Sequence, residues 1–284
     1  MIALVTDSNA QLPPELVERY RVEVVPLSVS IYGESFLEGV DLDADAFYAR
    51  FEAGRRPEVS TSQPSPGRFA AVFRELASRG VTEILAVHVG SSISGTVNSA
   101  RVAAAEAPVP VRIVDTGTAS FGVGCCVWEA GEVLAGGGSL EEAALVAATV
   151  AGTVGTVFTV GALDLARAGG RLAAVAGSPE DQPGAVPVLT MAGGEVNTIG
   201  QASDVAEAAR TMAAHVRAAG DAGALRVALG IADAGAAPLW QALEEHLAGT
   251  PEVRELVRYR IGPSVGAHTG PGTAGAFYYH PPAR

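Results

Sequence analysis

The chain has 284 residues, a formal net charge of −12, and 48% apolar against 18% charged residues, a globular composition long enough for one large or two ordinary domains. The acidic balance disfavours a nucleic-acid partner, whose phosphates are met by clustered Lys and Arg, and allows at most transient contact with anionic membrane surfaces. All 19 basic residues are arginine, so a Walker-type phosphate loop, a Schiff base and a lysine general base are excluded.

The first element is "IALVT", a short apolar strand ending in the turn cluster Asp7-Ser8-Asn9. Pro13 and Pro14 open a helix that runs to Tyr20, proline being tolerated in a first turn. "VEVVPLSVSI" reads as the next strand, and "TEILAVHV" and "VRIVD" as buried strands, each followed by a small-residue loop and a helical pattern. Strands alternating with helices predict a parallel sheet covered on both faces. Residues 1–155 are therefore expected to form a three-layer α/β/α domain with a mainly parallel sheet. Asp41, Asp43, Asp45 and Glu52 sit at positions 1, 3, 5 and 12 of a calcium-loop template, but Ala46 stands where the turn needs glycine. Phe47, Tyr48 and Phe51 recur at helical spacing, so a helix capped by Asp43 is expected there instead.

The second half follows a different pattern. "TVFTVG" reads as a strand, "ALDLARAGGRL" as a helix, and "AVPVLTMAGGEVNTI" as a hairpin around Gly193-Gly194. A helix over 204–219, the strand "LRVALGIAD", a helix over 238–248, and the strands "EVRELVRYRI" and "GAFYYH" complete it. Residues 156–284 are expected to form an α/β domain with a mixed sheet. Cys125 and Cys126 are adjacent, a spacing that rarely supports a disulfide. The N-terminus carries no basic segment ahead of its apolar run, and no apolar stretch is long enough to span a bilayer. A reducing, cytoplasmic location is expected.

Three stretches carry more polar groups than local structure needs. In "VSTSQPSPGRF", Ser65 and Pro66 start a helix whose buried face is Phe69, Val72, Phe73 and Leu76. That leaves Thr61, Ser62 and Gln63 too far upstream to cap it. "GSSISGTVNSA" repeats the design, with Ser91, Ser92, Ser94 and Thr96 beyond the carboxyl end of a strand, where parallel α/β sheets bind ligands. One capping residue would suffice. In "GPSVGAHTGPGTAG", His268 stands among small residues that let backbone approach a ligand. Hydroxyls and N–H groups near helix starts suit a carboxylate or a phosphate. Arg171, after Gly169-Gly170, either reaches such an anion or neutralises a helix carboxyl end. No Gly-x-Ser-x-Gly elbow, zinc-ligand spacing or complete dinucleotide fingerprint is present.

Together "VTDSNAQLP", "TSQPSPGRF", "SSISGT", "VDTGTASFGVG", "LARAGGRL" and "GAHTGPG" resemble the DegV family, the bacterial fatty-acid-binding proteins of the FakB type, over nearly the whole chain. The resemblance implies two domains with one long-chain fatty acid buried between them, no cofactor, and a non-enzymatic carrier that presents its ligand to a separate fatty acid kinase for phospholipid synthesis. It places the carboxylate at Thr61, Ser62, Ser94 with Gly95 and Thr96, and at His268 with Thr269, Arg171 lying nearby. Two departures stand out. Val186-Pro187 replaces the family's Lys-Pro, and no basic residue occurs between Asn197 and Ala209, where the family often carries a segment facing the kinase. The rival readings are a hydrolase or acyl transferase using Ser94 and His268, and a binder of small phosphorylated metabolites.

Overall fold

A computed structural model describes residues 1–161, 185–192, 195–220 and 223–282. The first half is built on β1 (Ile2–Asp7), β2 (Glu23–Val25), β6 (Glu83–His88) and β7 (Val111–Asp115), all parallel in the order β2-β1-β6-β7. Both faces of this sheet are apolar because both are covered. Val5, Ile84 and Ala86 meet Phe69, Phe73 and Leu76 of α3 (Pro66–Ser78) and Ala100 of α4 (Thr96–Ala104). Leu4, Leu85 and Val87 point the other way, toward α5 (Phe121–Ala135) and α6 (Leu140–Ala151), with α1 (Pro14–Tyr20) packed beside α5. Ser65 accepts from the Arg68 N–H and caps α3, and Ser139 with Glu142 forms a capping box on α6.

The expected strand over 22–31 is two strands in two different sheets. β2 ends at Val25, Pro26 has no N–H to continue a ladder, and the Leu27 N–H bonds the Ser8 hydroxyl instead (3.0 Å). The chain then forms β3 (Ser28–Ile31), β4 (Glu34–Leu37) and β5 (Val59–Ser62), an antiparallel sheet in the order β4-β3-β5. Thr61 and Ser62 are thus held in register by a strand. Asp43 caps α2 (Ala44–Tyr48) through the Ala46 N–H at 2.7 Å, as the spacing predicts.

The second sheet contains β8 (Gly155–Thr159), β9 (Val186–Ala192), β10 (Glu195–Ala202), β11 (Leu225–Ile231), β12 (Val253–Arg260) and β13 (Ala274–Tyr279), in the order β10-β9-β8-β13-β11-β12. It is mixed: β11 and β12 run parallel and the other pairs antiparallel. The helix read over "ALDLARAGGRL" and the Gly193-Gly194 turn lie outside the described residues. One face packs on α7 (Val205–Ala219) and α8 (Ala237–Leu247) through Met212, Val216, Leu239 and Leu243. On the other face Ala228, Tyr259, Phe277 and Tyr279 join the core of the first half, with Phe121 stacked on Tyr259 at 4.7 Å.

A buried cation fastens the two halves. Arg226 on β11 bonds Glu129 of α5 and Glu255 of β12 (2.9 Å), with its guanidinium 4.5 Å from the Trp128 ring centre. The Tyr279 hydroxyl donates to the same Glu129 (2.9 Å). The stretch of small residues around His268 contains a short helix, α9 (Pro263–Thr269). Among the described residues no helix is long and apolar enough to cross a membrane.

Candidate functional site

The chain leaves β1 toward β2 and later returns on the opposite side as β6, so the carboxyl ends of β1 and β6 flank a switch point of the parallel sheet. A fully buried pair organises it. His88 Nδ1 lies 2.9 Å from Asp7 Oδ2, and the same carboxylate accepts from the N–H groups of Val89 (3.1 Å) and Asn9 (3.1 Å). One side chain therefore fixes the start of both loops that leave these strands. The loop after β6 is tied again by Asp115, which accepts from the N–H groups of Ser91 (3.0 Å) and Gly117 (3.2 Å). Burial works to raise the Asp115 carboxyl, but these donors and the nearby Arg101 outweigh it and hold it below the usual carboxylate range.

Between these loops, β5 and α9 lies a polar pocket of about 260 Å³. Thr61 and Gln63 form one wall and Ser91 and Ser94 another; Asn9, Ser264 and His268 also line it. Its rim is exposed at Ser62, Gln63, Ser91 and Ser92, while Asn9 (6% exposed) and Ser264 (3%) are buried. The Thr61 hydroxyl lies 2.9 Å from His268 Nε2, joining β5 to α9 across 207 residues of sequence. Ser94 Oγ accepts from the Thr96 N–H (3.3 Å) and lies 2.9 Å from the Thr96 hydroxyl. A Cβ on Gly95 would come within 3.0 Å of Gln63 Nε2, so glycine there lets the Gln63 amide close against the turn.

Behind this pocket lies an apolar chamber of about 130 Å³, lined by Ile93, Phe158, Met191, Val196, Val265 and Phe277 among others. Asn9, Ile93, Ser264 and His268 line both spaces. Polar donors and hydrocarbon side chains thus meet at these four residues. The chamber draws on both halves, with Ile93 and Ala119 from the first and Phe158, Met191 and Phe277 from the second sheet.

The structure gathers Thr61, Ser62, Ser94, Gly95 and His268 around one pocket. Thr96 is fully buried at the start of α4 and reaches the pocket only through Ser94. Thr269 lines the apolar chamber and spends its hydroxyl on the Val265 carbonyl (3.3 Å), so it offers that proton to the helix and not to a ligand. Arg171 lies outside the described residues. Ser94 and His268 share the pocket, but Ser94 bonds Thr96 and His268 Nε2 bonds Thr61, so the two are not joined as nucleophile and base. Among the described residues no cluster of three or more His, Cys, Asp or Glu side chains could hold a metal ion. Sequence reading missed Asn9 and Ser264. Asn9 was visible as part of the turn at the end of β1; Ser264 is recognisable only as one helical turn before His268.

A sequence model described as uncharacterised protein, DegV family, matches residues 1–280. A DegV domain-containing protein of Streptomyces coelicolor is 34% identical over 276 residues, covering 96% of each chain. One from Deinococcus radiodurans is 34% identical over 275 residues, again covering 96% of each. Among solved structures, a fatty-acid-binding DegV family protein of Thermus thermophilus is 34% identical with a TM-score of 0.87, covering 98% of this chain and 99% of that one. DegV, a fatty acid binding protein from Bacillus subtilis, is 27% identical with a TM-score of 0.84 and 98% coverage of both. With this fold, this order of motifs and a match over nearly its full length, the chain belongs to the DegV family.

Proposed function

We propose that this protein binds one long-chain fatty acid, its carboxylate in the polar pocket and its tail in the apolar chamber, and presents it to a separate kinase. The observation that carries the reading is the junction itself: a hydroxyl- and histidine-lined pocket that shares Asn9, Ile93, Ser264 and His268 with a hydrocarbon-lined chamber. The fatty-acid-binding DegV proteins among the similar structures support it. In this reading residues 1–155 and 156–284 form two domains with the ligand between them. Thr61, Ser62, Ser94 and His268 meet the carboxylate, and Arg171 stands nearby.

The energetics divide between the two ends. Each buried methylene is worth roughly 0.8 kcal/mol, so about a dozen supply on the order of 10 kcal/mol before association costs. The tail needs more room than about 130 Å³, so binding widens the chamber, and Met191, unbranched and flexible, is suited to yield. The head cannot be buried without partners. Neutral hydroxyls and an imidazole satisfy a carboxylate without locking it in a tight ion pair, which leaves it able to attack a phosphoryl donor. The two buried, unpaired cysteines Cys125 and Cys126 fit a reducing cytoplasm.

Denaturing extraction of the purified protein followed by mass spectrometry tests the reading. It should release about one long-chain fatty acid per chain, the occupancy a single junction of this kind allows. Recovery of a phosphorylated metabolite and no acyl chain would refute it. The delipidated protein alone should neither hydrolyse ATP nor cleave esters, and acyl phosphate should form only when a partner kinase and ATP are added.

A further inference from the structure

We propose that the Ser264 hydroxyl is a further donor to the ligand head group, aimed into the junction of the two chambers by Asn9. The inference rests on the fatty-acid reading above and adds a residue to its site.

The argument is one of proton accounting. The Ser120 N–H can only donate, and it donates to Asn9 Oδ1 at 2.8 Å. This fixes the orientation of the Asn9 amide, so Asn9 Nδ2 is the end that lies 3.3 Å from Ser264 Oγ, and it donates to that oxygen. With a lone pair taken by Asn9, Ser264 has its own hydroxyl proton to place. Two acceptors are within reach: the Glu38 carboxylate behind it and whatever occupies the chambers in front. Without a ligand the Ser264 hydroxyl leans on Glu38, which also collects the Ser264 backbone N–H (2.8 Å) and the Ser8 hydroxyl. Glu38 has two donors besides this hydroxyl, whereas a carboxylate entering the junction arrives as an unsatisfied charged acceptor and so makes the stronger claim on the proton.

The placement agrees. Ser264 and His268 stand four residues apart on α9 and therefore on one face, one turn above the other. Both line the polar pocket and the apolar chamber, and Ser264 is only 3% exposed. With Thr61 bonded to His268, the donors run from β5 across α9 to the end of β1. A carboxylate at the junction can be met by Thr61 and His268 from one side and by Ser264 from the other.

Titration of delipidated protein with hexadecanoic acid and with hexadecanol tests this in wild type, Ser264→Ala and Ser264→Thr, with thermal melts confirming that each variant is folded. A hydrogen bond to a charged group predicts that Ser264→Ala weakens acid binding by about tenfold or more while alcohol affinity changes less than about twofold. Ser264→Thr keeps a hydroxyl and should retain the preference for the acid. Equal losses for acid and alcohol, an unchanged acid affinity in Ser264→Ala, or a loss in Ser264→Thr matching that in Ser264→Ala would each overturn the assignment. A wild-type protein that binds no acyl chain would overturn the fatty-acid reading and this inference with it, whereas wild-type binding that Ser264→Ala leaves intact overturns only the inference.

Discussion

Glu38 gives the sharpest test of the buried architecture behind α9. Its carboxyl follows β4, is 6% exposed, and receives the Ser264 N–H and the Ser8 hydroxyl. Burial pushes it up from 4.5 to about 7, against the opposing pull of those two donors and of the Ser264 hydroxyl, and with a small push from Asp7. Between those two pH values the folded chain holds a proton that the unfolded chain has released. Stability therefore falls as pH rises through that window and is level above it. At 1.36 kcal/mol per pH unit, the loss comes to about 3 kcal/mol. Glu38→Gln removes this titration and keeps the shape. Its carbonyl can still accept from Ser264, and its amide can donate to Ser8 Oγ once that hydroxyl turns away. Urea unfolding of both proteins should be run at intervals from pH 4 to 8. Every other titrating group is common to the pair, so the difference between their stability curves isolates Glu38. The variant should gain on wild type as pH rises and lead it by about 3 kcal/mol at the alkaline end. Parallel curves would refute the reasoning and mean that Glu38 is ionised in the fold at little cost.

Two further substitutions probe the site and the joint between the halves. Thr61→Val keeps the β-branched shape that suits β5 but deletes the hydroxyl 2.9 Å from His268 Nε2; if it holds the carboxylate, calorimetry should show acid affinity falling by roughly 1.5–3 kcal/mol with fatty alcohol affinity nearly unchanged. Arg226→Met strips the cation from Glu129, which is 1% exposed, and should destabilise the protein by about 3–5 kcal/mol in denaturant unfolding, much of it recovered by adding Glu129→Gln, because the cost lies in the buried charge left behind.

Local rules made most of the elements legible. Apolar runs marked β1, β6 and β7, and side-chain capping marked Asp43 and Ser65, because capping and helical periodicity act within about four residues. Pro26 carried the signal that the strand over 22–31 must break; the three-stranded sheet beyond it was not foreseen, since strand partners are chosen across the fold. The crowding of hydroxyls at Thr61, Ser62 and Ser94 pointed to a polar ligand. Residue type did not say which hydroxyls face the pocket: Thr96 and Thr269 look equally suitable in the sequence, but one is buried against Ser94 and the other is spent on its own helix. The meeting of Thr61 with His268 spans 207 residues, and that of Asn9 with Ser264 spans 255. The order and register of strands in separate sheets set such meetings, so the junction between pocket and chamber exists only once both halves have packed on a common core.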